Sequence, residues 1–255
     1  SGPLYSDIAM TPNGRLYTVG MDKDGTHGST ANFYDFYRLD PATGAILGSW
    51  KNVFPSNGFR QVNALSAKSN TSLLAIEGGG AANPKLLLIT LDGAGNFVSV
   101  TSQGVLPTPP SDGDLDQDPI TGKWYGTFWA PAGSQIWELD ITNPSNSAFV
   151  SQTGILAGGG TAGGFAFTPD GTAYAGSWAD KNLYTVNVLA GGSSVAYNLT
   201  QLRGNIFGLS RTTYIRTVGI DIKPGSDPNS INPNSKGVIP VAILTTATFD
   251  ATTVN

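Results

Sequence analysis

Short runs of alternating apolar and polar residues follow one another along this chain, separated by clusters of Gly, Pro, Asn and Asp. A period of two puts successive side chains on opposite faces of an extended strand, whereas a helix needs a period near 3.6. Runs such as residues 16–19 and 124–127 are typical of strands buried on one face, and helical periodicity is nearly absent. The pattern therefore predicts an all-β fold.

A four-residue signature recurs within this pattern: an aromatic or aliphatic residue, any residue, Leu or Val, and then Asp or Asn. Its four copies end at Asp40, Asp92, Asp140 and Asn187, which are 52, 48 and 47 residues apart. A nearly constant spacing of about 50 residues is characteristic of repeat architectures. The chain is therefore predicted to contain four repeats.

Each repeat contains two turn sequences. The polar residue of the signature opens one turn, as in residues 40–44, and a second turn precedes an apolar strand, as in residues 118–122. The unit then has four strands, and it resembles the blades of secreted bacterial β-propellers over roughly residues 4 to 212. The resemblance implies a propeller architecture but no particular activity.

The number of blades is left open by the sequence. A fifth strand of the innermost type, residues 205–210, follows the fourth repeat. This strand could begin a fifth blade, completed by the C-terminal segment, or it could help to close a four-bladed ring. A β sandwich with coincidental spacing is the alternative fold.

The sequence changes character after residue 216, which divides the chain into a propeller-like repeat domain, 1–216, and a partial β module, 217–255. Residues 220–233, IDIKPGSDPNSINP, and residues 237–244, GVIPVAIL, are similar to a module that recurs in secreted and surface proteins of bacteria and archaea. That module normally continues beyond the point where this chain stops, so the chain is expected to end inside a β domain. Its free strand edges could pair with a second copy of the chain, or the segment could be a floppy tail.

Composition narrows the range of partners. Hydrophobic residues make up 40% of the chain and charged residues only 13%, a balance that suits an extracellular or cell-surface protein. The net charge is −4 and the basic residues form no run, which argues against a nucleic-acid partner. There is no cysteine, and no stretch approaches the roughly 20 apolar residues of a membrane span.

An acidic run in the third repeat is the most distinctive polar feature. Aspartates occupy every second position: Asp112, Asp114, Asp116 and Asp118. On a strand these carboxylates would share one face, where their like charges repel, and a calcium ion would relieve the repulsion. Alignment of the repeats places Leu115 on an innermost strand, near the central channel. The alternative is a solvated loop in which Asp118 caps its own turn.

Two further groups of residues suggest chemistry. Trp129 and Trp178 lie beside small residues in apparent loops and could stack on sugar rings, whereas Trp124 and Trp137 are predicted to lie in the core. Glu77, at the end of a strand, could form an acid pair with Asp114 or Asp116, as glycoside hydrolysis requires.

The leading functional prediction is a non-enzymatic secreted or cell-surface module that binds or assembles. Calcium at the acidic run and self-association through the C-terminal segment accompany this prediction. Two alternatives stay open. One is a lectin-like propeller that binds glycan, and the other is a glycoside hydrolase with its acids at the mouth of the channel.

Overall fold

The computed structural model describes a chain that divides into two compact units, Ser1–Thr213 and Tyr214–Asn255. The described residues are 4–21, 33–78, 83–107, 113–130, 133–154, 156, 162–177, 179–201, 208–211, 219–222, 224–225, 234, 237–238 and 240–244. None of the helices in these ranges is long and apolar enough to cross a membrane. The predicted domain boundary, between residues 216 and 217, stays a prediction.

The first unit contains four antiparallel sheets of four strands, and each sheet is one blade. Blade 1 consists of β1 (Leu4–Met10), β2 (Leu16–Met21), β3 (Phe33–Leu39) and β4 (Ile46–Trp50). Blade 2 consists of β5 (Val62–Ser69), β6 (Ser72–Glu77), β7 (Lys85–Leu91) and β8 (Phe97–Val105). Blade 3 consists of β9 (Gly113–Gln117), β10 (Trp124–Phe128), β11 (Gln135–Leu139) and β12 (Ala148–Gln152). Blade 4 consists of β13 (Ala162–Phe167), β14 (Ala173–Ser177), β15 (Asn182–Val186) and β16 (Ser193–Asn198).

The all-β prediction is confirmed, and the fold is a four-bladed β-propeller. Helix is confined, in the described ranges, to α1 (Val53–Ser56) and a 3-10 turn at Pro144–Asn146. The first strand of each blade is the innermost one: β1 contacts β5, β5 contacts β9, and β9 contacts β13. The alternatives of five blades and of a β sandwich are wrong.

Three apolar clusters hold neighbouring blades together. The cluster between blades 1 and 2 includes Tyr17 and Phe36, and the cluster between blades 3 and 4 includes Phe165 and Phe167. Between blades 2 and 3, Trp124 is buried, and Trp137 is half-buried against the same cluster. The prediction of a core position is confirmed for Trp124, while Trp137 packs against the core and stays partly exposed.

Residues 208–211 run along the central channel rather than starting a fifth blade. Leu209 N–H donates to Asp114 Oδ2 of β9 (3.3 Å), and Ser210 Oγ accepts a hydrogen bond from Met10 N–H of β1 (2.8 Å). Arg211 Nη1 donates to Gln117 O of β9 (3.2 Å). These residues form no strand ladder, so the expectation of a regular strand is wrong for 208–210, and residues 205–207 lie outside the described ranges.

The second unit contains an antiparallel pair of strands, β17 (Gly219–Ile222) and β18 (Val241–Leu244). Val241 and Leu244 are 57% and 43% exposed. A two-stranded sheet is marginally stable by itself in water, so this pair gains stability from any further strand or surface that covers it.

Candidate functional site

The centre of the propeller is built from one equivalent position on each innermost strand. The four residues at this position are Asp7, Ala64, Asp114 and Gly164. Acidic residues therefore stand on blades 1 and 3, and small residues stand on blades 2 and 4. The two carboxyl groups share a hydrogen bond, and the small residues leave room for that contact.

Asp7 and Asp114 each connect their own blade to the next one. Leu65 N–H of blade 2 donates to Asp7 Oδ2 (2.6 Å), and Phe165 N–H of blade 4 donates to Asp114 Oδ2 (2.6 Å). The other oxygen of each carboxyl accepts the N–H of the residue that follows, Ile8 (2.8 Å) or Leu115 (2.7 Å). The same inter-blade tie thus occurs twice in the ring.

Asp116 makes a third connection, and Asp118 has a local role. Phe167 N–H of blade 4 donates to Asp116 Oδ2 (2.9 Å), and Ser66 Oγ of blade 2 donates to Asp116 Oδ1 (3.2 Å). Asp118 instead accepts Ile120 N–H (2.9 Å) and Thr121 Oγ1–H (2.6 Å) within its own turn. Asp112 lies outside the described residues.

The protonation of these groups follows from their surroundings. Burial raises the pKa of both Asp7 and Asp114 well above the ordinary value, and the charge of Asp114 raises the pKa of Asp7 further. Both carboxyl groups of the pair are therefore protonated at a higher pH than those of free aspartates. Burial also raises the pKa of Asp116. For Asp118, burial is the largest single effect and raises the pKa, but the hydrogen bonds from Thr121 and Ile120 together outweigh it and lower the pKa.

The hydrogen bonds that the aspartates of the acidic run accept bear on the calcium prediction. All of the carboxylate oxygens of Asp114, Asp116 and Asp118 accept hydrogen bonds from the protein. In the described part of the chain, no three His, Cys, Asp or Glu side chains are grouped so that they could hold a metal ion. The described aspartates do not by themselves make a calcium site, and calcium binding at this run stays a prediction.

Glu77 lies at the end of β6 and is buried, with 4% of its surface exposed. Its Oε1 accepts Arg60 N–H (2.7 Å), and its register partner on β5 is Val62. Ser66, which contacts Asp116, lies further along the same strand, about 13 Å from Val62 at 3.3 Å per residue. Glu77 therefore lies near one end of the blade 2 sheet, and Asp116 of blade 3 contacts that sheet toward its other end.

Trp129 directly follows β10 and is 47% exposed. Trp178 lies outside the described residues. Stacking of either ring on a sugar stays a prediction.

A groove of about 650 Å³ separates the outer parts of blades 3 and 4. Its lining includes Ser193 and the edges of the buried Tyr125 and Phe167, while the hydroxyls of Thr185 and Ser194 bond to each other (2.8 Å). Sequence reasoning missed both this groove and Asp7. For Asp7 a signal was present, because the alignment that matches Ile8 with Leu115 also matches Asp7 with Asp114.

No family model matches this chain, and no curated protein matches it. Solved structures do share its fold. A protein of unknown function from Bacteroides caccae matches at 11% identity and a TM-score of 0.44, over 80% of this chain and 64% of that one. Another from Bacteroides thetaiotaomicron matches at 12% identity and a TM-score of 0.52, over 80% and 53%. A GH43_1 enzyme from Xanthomonas citri matches at 13% identity and a TM-score of 0.51, over 76% and 74%.

The two likenesses with TM-scores above 0.5 concern the fold alone, because both identities are at or below 13%. The chain spans less than two thirds of the length of both Bacteroides proteins.

Proposed function

We propose that this chain is a non-enzymatic binding and assembly module of a secreted or cell-surface protein, with the propeller as a rigid platform. One observation carries the proposal: the channel contains the chain's own residues 208–211, and Asp7 and Asp114 are bound to main-chain amides. A substrate entering the channel would have to displace these contacts. The channel therefore serves cohesion of the ring, and binding is expected on the outer surface.

The location outside the cell is supported by composition and by the C-terminal module. The low fraction of charged residues, 13%, suits a surface of hydroxyl and amide side chains. Self-association is supported by the strand pair β17–β18, whose exposed Val241 and Leu244 would be buried by a second copy. Static light scattering of the whole chain should show dimers or larger species as concentration rises, and a monomer at all concentrations would contradict assembly.

A glycoside hydrolase is the second candidate, because the fold is similar to that of a GH43_1 enzyme and Glu77 is a buried carboxylate. The test is release of aryl alcohol from a panel of neutral aryl-glycosides. We expect no release above the rate of heat-denatured protein. Hydrolysis that disappears in Glu77→Gln, at an unchanged melting temperature, would overturn the non-enzymatic proposal.

Calcium at Asp112, Asp114, Asp116 and Asp118 remains part of the proposal, and binding would require the described carboxylates to exchange hydrogen bonds from the protein for the ion. Binding of the ion to the folded state alone would raise its stability. The melting temperature should then fall in excess chelator and recover when calcium is restored, with magnesium as the control. A melting temperature that chelator does not change would refute the calcium proposal.

A further inference from the structure

The tyrosine at the second position of β14 is more accessible than its equivalents on two other blades. Tyr17 on β2, Tyr125 on β10 and Tyr174 on β14 are equivalent, because each pairs with the second residue of its blade's signature. Tyr17 and Tyr125 are 0% and 4% exposed, and both belong to the apolar clusters between blades. Tyr174 is only half-buried, so solvent reaches a ring that is packed away on blades 1 and 3.

A second tyrosine, Tyr197 of β16, stands on the same face of blade 4 and is 56% exposed. Tyr174 pairs with Thr185 of β15. Tyr197 pairs with Leu183, which lies two residues earlier on that strand. Paired residues share a face of the sheet, and so do residues two apart along a strand. Both tyrosines therefore lie on the face opposite to Val186, which packs in the cluster between blades 3 and 4.

The two tyrosine rings lean toward each other above β15. Because β15 separates β14 from β16, the backbones of these two strands are about 9.6 Å apart, which is two strand spacings. The ring centroids of Tyr174 and Tyr197 are only 6.4 Å apart, with 30° between the ring planes. Partial burial, and after it the charge and hydroxyl group of Tyr197, raise the pKa of Tyr174. The hydroxyl ends of the two rings are therefore close to each other.

Two phenols in this arrangement can be joined by oxidation. Loss of one electron and one proton from each phenol gives two phenoxyl radicals, whose unpaired spin extends to the Cε carbons beside the hydroxyl groups. A bond between one Cε of each ring pairs the two electrons. The hydrogen on each bonded Cε then moves to the oxygen and restores both phenols. The product is a dityrosine that has lost two hydrogen atoms, and one hydrogen peroxide accepts them to give two water molecules.

The position of the rings favours coupling within one chain over coupling between chains. The second side-chain torsion of tyrosine is broad, and exposed side chains reorient within nanoseconds, so the two Cε carbons can meet without movement of the strands. Reacting groups held side by side have an effective concentration far above that of a dilute protein solution. A radical on Tyr197 therefore meets Tyr174 of its own chain before it meets a second molecule.

We propose that Tyr174 and Tyr197 form an oxidative modification site, at which a haem peroxidase and hydrogen peroxide join the two rings into a dityrosine. The chain has no cysteine, so this bond would supply a covalent link that does not need a thiol. It would tie the outermost strand β16 to β14 across β15. A link between residues 174 and 197 also restricts the unfolded chain, which stabilises the folded state. The inference is independent of the proposed binding function.

The test treats the whole chain, at low micromolar concentration, with a haem peroxidase and hydrogen peroxide, followed by trypsin and mass spectrometry. Cleavage after Lys181 places the two tyrosines in different peptides, so the bond appears as a linked pair whose mass is two hydrogens below the sum. Tyr174→Phe and Tyr197→Phe each keep a ring but remove the phenol that must be oxidised. Tyr34→Phe is the matched control, because Tyr34 is a half-buried tyrosine on β3 of blade 1.

We expect the linked peptides from the wild type and from Tyr34→Phe, and at least tenfold less from Tyr174→Phe and Tyr197→Phe. The oxidised wild type should melt about 5 °C or more above the untreated protein, whereas oxidised Tyr197→Phe should show no rise. A wild type without linked peptides, or a link that persists in Tyr197→Phe, would overturn the site. A link found only between chains, with a yield that grows with protein concentration, would do the same. A link that leaves the melting temperature unchanged would overturn its stabilising role.

Discussion

Single residues at the channel hold the blades together through hydrogen bonds between distant parts of the chain. Local sequence patterns do not predict these bonds. Asp114 receives N–H groups from residues 51 and 95 positions away in the chain. The alternating aspartates were interpreted as mutually repelling charges on one face, whereas Asp114 and Asp116 are buried and bound to neighbouring blades. Asp7 was overlooked because one aspartate in an alternating strand looks ordinary until its partner across the channel is known.

The raised pKa values of Asp7 and Asp114 predict a pH dependence of stability. Because the folded-state pKa values are raised, the folded protein holds a proton that the unfolded chain releases, so stability present below about pH 4 is lost as pH rises through the raised values. In Asp114→Asn, the melting temperature should fall less steeply above pH 4 than in the wild type.

Asp118→Asn is the control for this experiment, because the pKa of Asp118 is lowered and its pH dependence has the opposite sign. Its stability contribution is lost only as pH falls through the lowered value. The variant should therefore keep the wild-type slope above pH 5. Identical slopes for Asp114→Asn and the wild type would show that the pKa values of the channel pair are not raised in the folded protein.

Gly164 tests how closely residues 208–211 approach the ring. A Cβ at this position would lie 2.8 Å from both Gly208 C and Leu209 N, which are backbone atoms. Gly164→Ala should therefore lower the free energy of unfolding by about 1–3 kcal/mol in urea titrations. Gly93→Ala meets nothing within 4 Å and should change it by less than about 0.5 kcal/mol. Equal effects would mean that the segment does not pack against blade 4.

At the scale of elements, the repeated turns were predictable because their chemistry is local. Asp40 accepts Ala42 N–H (2.8 Å) and Asp92 accepts Asn96 N–H (2.8 Å), each within the turn that its signature opens. Asp140 accepts Asn143 N–H (2.9 Å), and such bonds lower its pKa to about 2. The conformation of residues 208–210 was not predictable. A strand-like sequence pattern does not show whether the segment pairs with another strand or lies in the channel.

The aromatic side chains packed between blades 1 and 2 allow a prediction of how much this interface contributes to stability. Phe97 packs against Trp50 and Phe36, so Phe97→Ser should lower the free energy of unfolding by about 2 kcal/mol, the value of burying one large apolar side chain. The neighbouring Val98→Ser changes an exposed residue and should cost less than about 0.5 kcal/mol. Chemical denaturation followed by tryptophan fluorescence measures both, and similar costs would contradict a packing role for Phe97.

At the scale of the whole molecule, four blades form one ring whose centre is occupied by the chain that leaves the fourth blade. Residues 208–211 contact β1 and β9, and Gly208 also lies against Asp7. Blade 1 and blade 3 are therefore joined through a segment that belongs to neither. This arrangement explains how a ring of only four sheets keeps a filled centre.

Truncation tests this role of the segment. A chain that ends at residue 216 keeps residues 208–211 and should retain the melting transition of the propeller. A chain that ends at residue 206 lacks these contacts and should melt more than about 4 °C lower, since a loss of 1 kcal/mol lowers the melting temperature of a domain this size by about 2–4 °C. Calorimetry measures both, and equal melting temperatures would show that the segment is dispensable.

The hydrogen bond from Met10 to Ser210 joins residues 200 positions apart, which has a consequence for how the molecule is made. Contacts of such high sequence separation carry a large loop-closure entropy and slow the folding of a domain. During synthesis from the N-terminus, the first three blades are complete long before Ser210 exists. The open ring then presents the unpaired inner edges of its strands, which are sites for misassociation. We therefore expect the docking of residues 208–211 in the channel, rather than the formation of any single blade, to limit the rate of maturation.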